Sequence, residues 1–337
     1  VGDMFEKPFD PRANERKTYF LLGALILLAV FHFTYQAVFF TFERRPDEIK
    51  AIAYFVNLLS LQGDARLGHV WVEETWTRLV LFSLNIAITL GLLALKLIDK
   101  KAAVLVAIWP LSVLLFSKVY WEFFYFPLCL IRPDLTVRRE FGVIALLATL
   151  LYATGEANLG VILTFRAALL MQHLGFKRST PIGIFGFGVV LDAAMKTGVA
   201  FSLPWIGGLL QRFDWTRNTV NPDYSPIESI AVFVASFHFF SLHTGAYWID
   251  ALFSLVVVAY LMSSGEFRLN LRKHFWLIAC FVSVFFFYTN VTYAFQNARY
   301  YFFFIPVLAM LTPARMFPGL AILGVLHVIF RSLEFFS

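Results

Sequence analysis

The chain has 337 residues, 59% hydrophobic and only 15% charged, with a net charge of +6 and a mean hydropathy of +0.72. Soluble domains sit nearer half apolar and a quarter charged, so this composition excludes an ordinary soluble enzyme and points to a membrane protein. The basic residues fall in clusters between apolar runs, the pattern of cytoplasmic membrane loops rather than of a nucleic-acid-binding surface.

Residues 1–18 are polar and carry Lys7, Arg12, Arg16 and Lys17; they read as a cytoplasmic tail and do not fit a cleavable signal. Residues 19–42 are apolar enough and long enough to cross a bilayer as a helix. Residues 43–78 form a first extracytoplasmic loop, with amphipathic stretches expected to lie in the interface and Trp71 and Trp76 as anchors. Further apolar segments follow at 79–98, 102–117, 119–131, 141–155, 157–174 and 182–205. A second outer loop at 206–245 contains an apolar stretch, 229–240, able to dip back into the membrane. The last segments are 246–264, 275–295, 300–312 and 318–333.

The expected fold is therefore all-α: a polytopic transmembrane helical bundle of about nine to eleven membrane segments, forming one domain over 19–337. Several segments are too short to cross alone, which suggests broken or re-entrant helices around a cavity, or thin tilted hairpins. With the N-terminus inside, Lys96/Lys100/Lys101, Arg132/Arg138/Arg139, Lys177/Arg178, Arg268/Arg272/Lys273 and Arg315 all fall on the cytoplasmic side.

Ionisable residues inside apolar segments are functional candidates, because charge in lipid is costly. Asp192 and Lys196 are spaced i,i+4 and can neutralise each other on one helix face. Arg166 either binds a phosphate or pyrophosphate in a wet cavity shared with Glu156, or makes a salt bridge between helices. Arg299-Tyr300 sits at an outer boundary, placed to hold a lipid-linked phosphate or to snorkel to headgroups. His238 and His243 are i,i+5, which is not a zinc-helix spacing, and Cys129 and Cys280 form no metal pattern. No phosphate-binding loop, dinucleotide fingerprint or serine elbow is present.

Three local patterns carry a resemblance. Arg45-Pro46-Asp47-Glu48 after the first span resembles the acidic motif of the GT-C superfamily of membrane glycosyltransferases. Asn297 to Pro306, with Arg299-Tyr300 ahead of the proline, is similar to an Arg-Tyr…Pro element in late spans of such enzymes and of integral-membrane exopolysaccharide and O-antigen polymerases. Ser117-Lys118-Val119-Tyr120-Trp121-Glu122 resembles a Ser-Lys element of the same group. The resemblance implies transfer of a sugar or oligosaccharide from a polyprenyl-phosphate-linked donor on the extracytoplasmic face, in a bacterial inner membrane, alongside polysaccharide-assembly partners. Such transfer needs a general base on the acceptor hydroxyl, for which Asp47, Glu48 and Asp64 are candidates. It also needs positive charge on the leaving phosphate, from Arg299 and Arg166 with Arg45 and Arg66 behind them. A divalent ion near the carboxylates is compatible with this chemistry and not required. Equally, Pro46-Asp47-Glu48 suits the start of an interfacial helix. A secondary transporter or flippase, or a noncatalytic subunit of a larger complex, are the competing readings.

Overall fold

The computed structural model describes residues 70–112, 122–154, 157–204, 247–292 and 298–334, with scattered positions between 207 and 238. The described residues are helical and contain no strand, only an isolated antiparallel bridge between Ile98 and Ile131. In chain order the helices are α1 (Val70–Ala94), α2 (Lys100–Ile108), α3 (Glu122–Cys129), α4 (Val137–Thr154), α5 (Ala157–His173) and α6 (Ser179–Lys196). Then come α7 (Tyr247–Ser263), α8 (Gly265–Lys273), α9 (Phe275–Thr292), α10 (Phe304–Leu311) and α11 (Phe317–Glu334).

The breaks follow local chemistry. Asp99 caps α2 by accepting from the Lys101 amide, and α2 stops at Trp109, which is extended because Pro110 follows it. The expected segment 102–117 is thus two pieces, of which the second opens at Pro110. Ser264 caps α8 by accepting from Phe267 N–H, with Glu266 in its first turn and Arg272 and Lys273 in its last, each charge suited to the helix dipole. One expectation is corrected at the N-terminal side: Trp71 and Trp76 belong to α1, which runs unbroken from Val70 into the apolar stretch, and not to a separate interfacial helix. No proline or glycine interrupts this helix before Gly91.

Among the described residues no single helix is long and apolar enough to cross a membrane. Two bent pairs pass that test together, α7 with α8 at 88° and α10 with α11 at 106°. The core is built on α10. All of its residues except Met310 are buried, which is what a helix apolar on every side requires. Its Pro306 stands in the first turn, where a missing N–H costs nothing. The preceding Tyr301, Phe302 and Phe303 are buried too, and Phe303 stacks on Phe165 of α5 with ring centroids 4.5 Å apart. Around this centre α4 and α5 form an antiparallel hairpin, and α6 runs parallel to α9, with Phe187 stacked on Phe287 and Met195 packed with Val291.

The basic clusters gather at one end of the molecule. Ile98 bridges to Ile131, Arg132 N–H donates to Leu97 O, and Gln172 of α5 donates to Trp276 O of α9. Asn270 of α8 donates to Leu311 O, and Arg315 pairs with Glu266 across the exposed surface at 3.4 Å. The loops expected to be cytoplasmic are therefore neighbours in space.

The helices α2 and α11 meet at backbone distance. A Cβ on Gly324 would lie 2.5 Å from the carbonyl oxygen of Ile108. A main-chain atom at a helix end has nowhere to retreat, so Gly324→Ala forces the two helices apart. The expected cost is about 1–3 kcal/mol. Thermal unfolding in detergent, set against Gly91→Ala, where a Cβ meets nothing, checks this.

Candidate functional site

Two clusters of ionisable groups lie inside the described core. The first joins α7, α11 and the segment around residue 238. Asp250 stands in the first turn of α7 and Ser254 one turn later on the same face. His327 of α11 points Nε2 at Asp250 Oδ1, 2.7 Å away. Its Nδ1 faces Nδ1 of His238 at 2.9 Å, and the two ring planes are within 13° of parallel. His238 N–H donates to Ser254 Oγ at 3.1 Å.

Aromatic walls fix the imidazoles. Phe253 stacks on His327 at 4.7 Å and 7°. Trp109 stands edge-on to His238 at 4.8 Å and 88°, and its Nε1–H donates to Phe237 O. Asp250, His238 and His327 are all buried. Asp250 and His327 make additional contacts, whereas Nε2 of His238 has no hydrogen-bond partner among the described residues. The arrangement is a carboxylate–imidazole–imidazole chain of the kind that holds and passes protons.

The second cluster lies towards the basic end. Arg166 of α5 donates through Nη2 to Glu140 of α4, and both side chains are buried. Arg166 Nη1 donates to Ile131 O at 3.2 Å and Arg132 O at 3.1 Å. Just outside, the Arg132 guanidinium makes a bidentate pair with Asp134 and holds that carboxyl below its usual range. Partial burial and the adjacent positive charge of Lys273 lower the His274 imidazole.

Of the residues singled out in sequence, Arg166 is therefore oriented by a salt bridge between helices and by the 131–132 backbone. Asp192 and Lys196 form the anticipated i,i+4 pair, at 2.8 Å, near the far end of α6. Tyr300 is half-buried against the core, in the 3₁₀ turn Ala298–Tyr301 that also carries Arg299. Asp47, Glu48, Asp64, Arg45, Arg66 and Glu156 lie outside the described residues. At the positions described within 229–240, Phe233 packs on Phe285 and Tyr301, and Phe237 on Phe304. No group of three or more metal-ligating side chains occurs among the described residues.

In sequence His238 stands out only as a poor metal ligand, and Asp250 and His327 do not stand out at all. A signal is nonetheless there, since each is an ionisable residue in an apolar segment. What sequence does not supply is the pairing, across separations of 77 and 89 residues. No protein-family model, no curated protein and no solved structure matches the chain.

Proposed function

We propose that the chain is a polytopic integral membrane protein that transfers a sugar or oligosaccharide from a polyprenyl-phosphate-linked donor at the extracytoplasmic face. The membrane part rests on polarity. Ile182, Phe187 and Val190 on α6, Leu255 on α7, and Ile322 and Val325 on α11 are each more than half exposed, while the Glu140–Arg166 and Asp250–His327 pairs are buried. Large exposed apolar faces on a chain that keeps its ionisable pairs inside suit lipid as the solvent.

The observation that carries the transferase reading is the position of the Arg299–Pro306 element. It enters the packed centre of the molecule, where Phe303 stacks on Phe165 of α5, so the backbone of Arg299 belongs to a turn that leads directly into the core. An arginine carried on such a turn is suited to a leaving phosphate. The donor supplies its own activation, and Asp47 or Glu48 takes the proton of the acceptor hydroxyl.

Purified protein given lipid-linked oligosaccharide is expected to produce longer products on a gel. Asp47→Ala with Glu48→Ala should lower that rate by about 10²–10⁴-fold in a folded protein, the usual worth of a general base. Full activity in the double variant would remove these two acids from the mechanism. A second reading, proton-coupled transport, is favoured by the buried Asp250–His327–His238 chain. Substrate uptake into liposomes driven by a proton gradient, without product lengthening, would select it.

A further inference from the structure

We propose that Asp250, His327 and His238 form a proton wire whose terminal atom is Nε2 of His238, and that one proton taken up there neutralises Asp250 without either imidazole becoming a cation. The argument is one of donors and acceptors. Each link of the chain joins two named atoms, so each holds one hydrogen. If Asp250 is ionised, Oδ1 only accepts, and Nε2 of His327 must carry the hydrogen of that link. Neutral His327 then presents a bare Nδ1, so Nδ1 of His238 carries the hydrogen between the rings. His238, also neutral, is left with a bare Nε2, the atom without a partner among the described residues.

A proton added to Nε2 reverses the chain. The Nδ1 hydrogen of His238 passes to Nδ1 of His327, and the Nε2 hydrogen of His327 passes to Oδ1 of Asp250. The chain goes from one negative charge to none. Both end states keep every link satisfied and both rings neutral, whereas an imidazolium at His327 beside ionised Asp250 would leave two charges to desolvate in the buried site.

The described surroundings of the two rings are aromatic. The described side chains placed against the two rings are Trp109, Phe253 and each other, with Ser254 holding the His238 backbone. No charged group beyond Asp250 is shown facing the rings from α2, α7 or α11 among the described residues. Lys100 and Lys101 stand at the start of α2, and Glu266 and Arg315 belong to the basic end. The inference is compatible with both the transferase and the transport readings, and its test uses neither activity.

The full-length protein, labelled with ¹⁵N-histidine in bilayers, is titrated by solid-state NMR, and the two rings are assigned among the seven histidines with His238→Gln and His327→Gln. The expected high-pH state has His327 as the Nε2–H tautomer and His238 as the Nδ1–H tautomer. On acidification both should exchange tautomer in one step, together with the appearance of a carboxylic-acid C=O band in the infrared. Asp250→Asn should abolish the band and the one-step tautomer exchange, because an amide cannot take up the proton that the chain delivers. In His327→Gln the wire is cut, and His238 should then titrate to an imidazolium. An imidazolium signal from either ring in the wild-type step, or tautomer changes at separate pH values, overturns the proposal. Should Asp250→Asn fail to fold, the wild-type titration and His327→Gln decide it alone.

Discussion

Glu140→Ala is expected to destabilise the protein by about 3–5 kcal/mol, the largest loss anticipated for a single charged residue here. Arg166 would keep its two carbonyl acceptors, Ile131 O and Arg132 O, but lose the anion paired with it in the core. A buried guanidinium without a counter-charge is what makes breaking such a pair expensive. The paired replacement Glu140→Leu with Arg166→Met should recover most of the loss, because removing both charges also removes both desolvation costs. Chemical unfolding in detergent of the two single variants and the double measures the coupling directly. The same double variant separates two roles for Arg166. If it remains folded and still extends lipid-linked oligosaccharide, Arg166 serves architecture; if it is folded and inactive, the arginine also meets substrate.

Trp109→Ala is expected to cost a comparable amount, about 3–5 kcal/mol, by emptying the largest fully buried side chain among the described residues. The ring stands between Phe237, His238 and Phe304 at centroid distances of 5.4, 4.8 and 5.9 Å. Its loss therefore opens a cavity where α2, α10 and the residue-238 segment converge. Trp109→Phe keeps most of the volume and the edge-on contact, and loses the hydrogen bond to Phe237 O; about 1–2 kcal/mol is expected for that change. Thermal unfolding of the pair checks the order. The two variants should also differ in the His238 ring environment, since only the alanine variant removes the wall that holds the imidazole edge-on.

The i,i+4 pairing of Asp192 and Lys196 is legible in sequence because it acts within one turn. Pro110 and the Asp99 and Ser264 caps act as locally, but hydropathy alone reads across them, so 102–117 looks continuous where Pro110 divides it. The salt bridge is one of two readings open for Arg166, but its partner is not visible in sequence, because Glu140 sits in the polar lead-in to α4 and reads as a surface residue. The Trp71–Trp76 stretch misleads for a related reason: paired tryptophans suggest an interface, while the absence of a breaker lets α1 continue through them. The Asp250–His327–His238 chain depends on α7, α11 and the residue-238 segment converging, and no spacing rule reports that.

The burial of α10 has a consequence for how the chain is made. At eight residues it is about 12 Å long, too short to cross a bilayer's hydrocarbon layer by itself. Yet α2, α5, α9 and α11 pack on or around it and its flanking turns. The inner faces of α2, α5 and α9 are therefore closed by a segment that comes later in the chain than any of them. The centre is complete only with residues 304–311 in place, and a chain lacking them would have an unfilled middle.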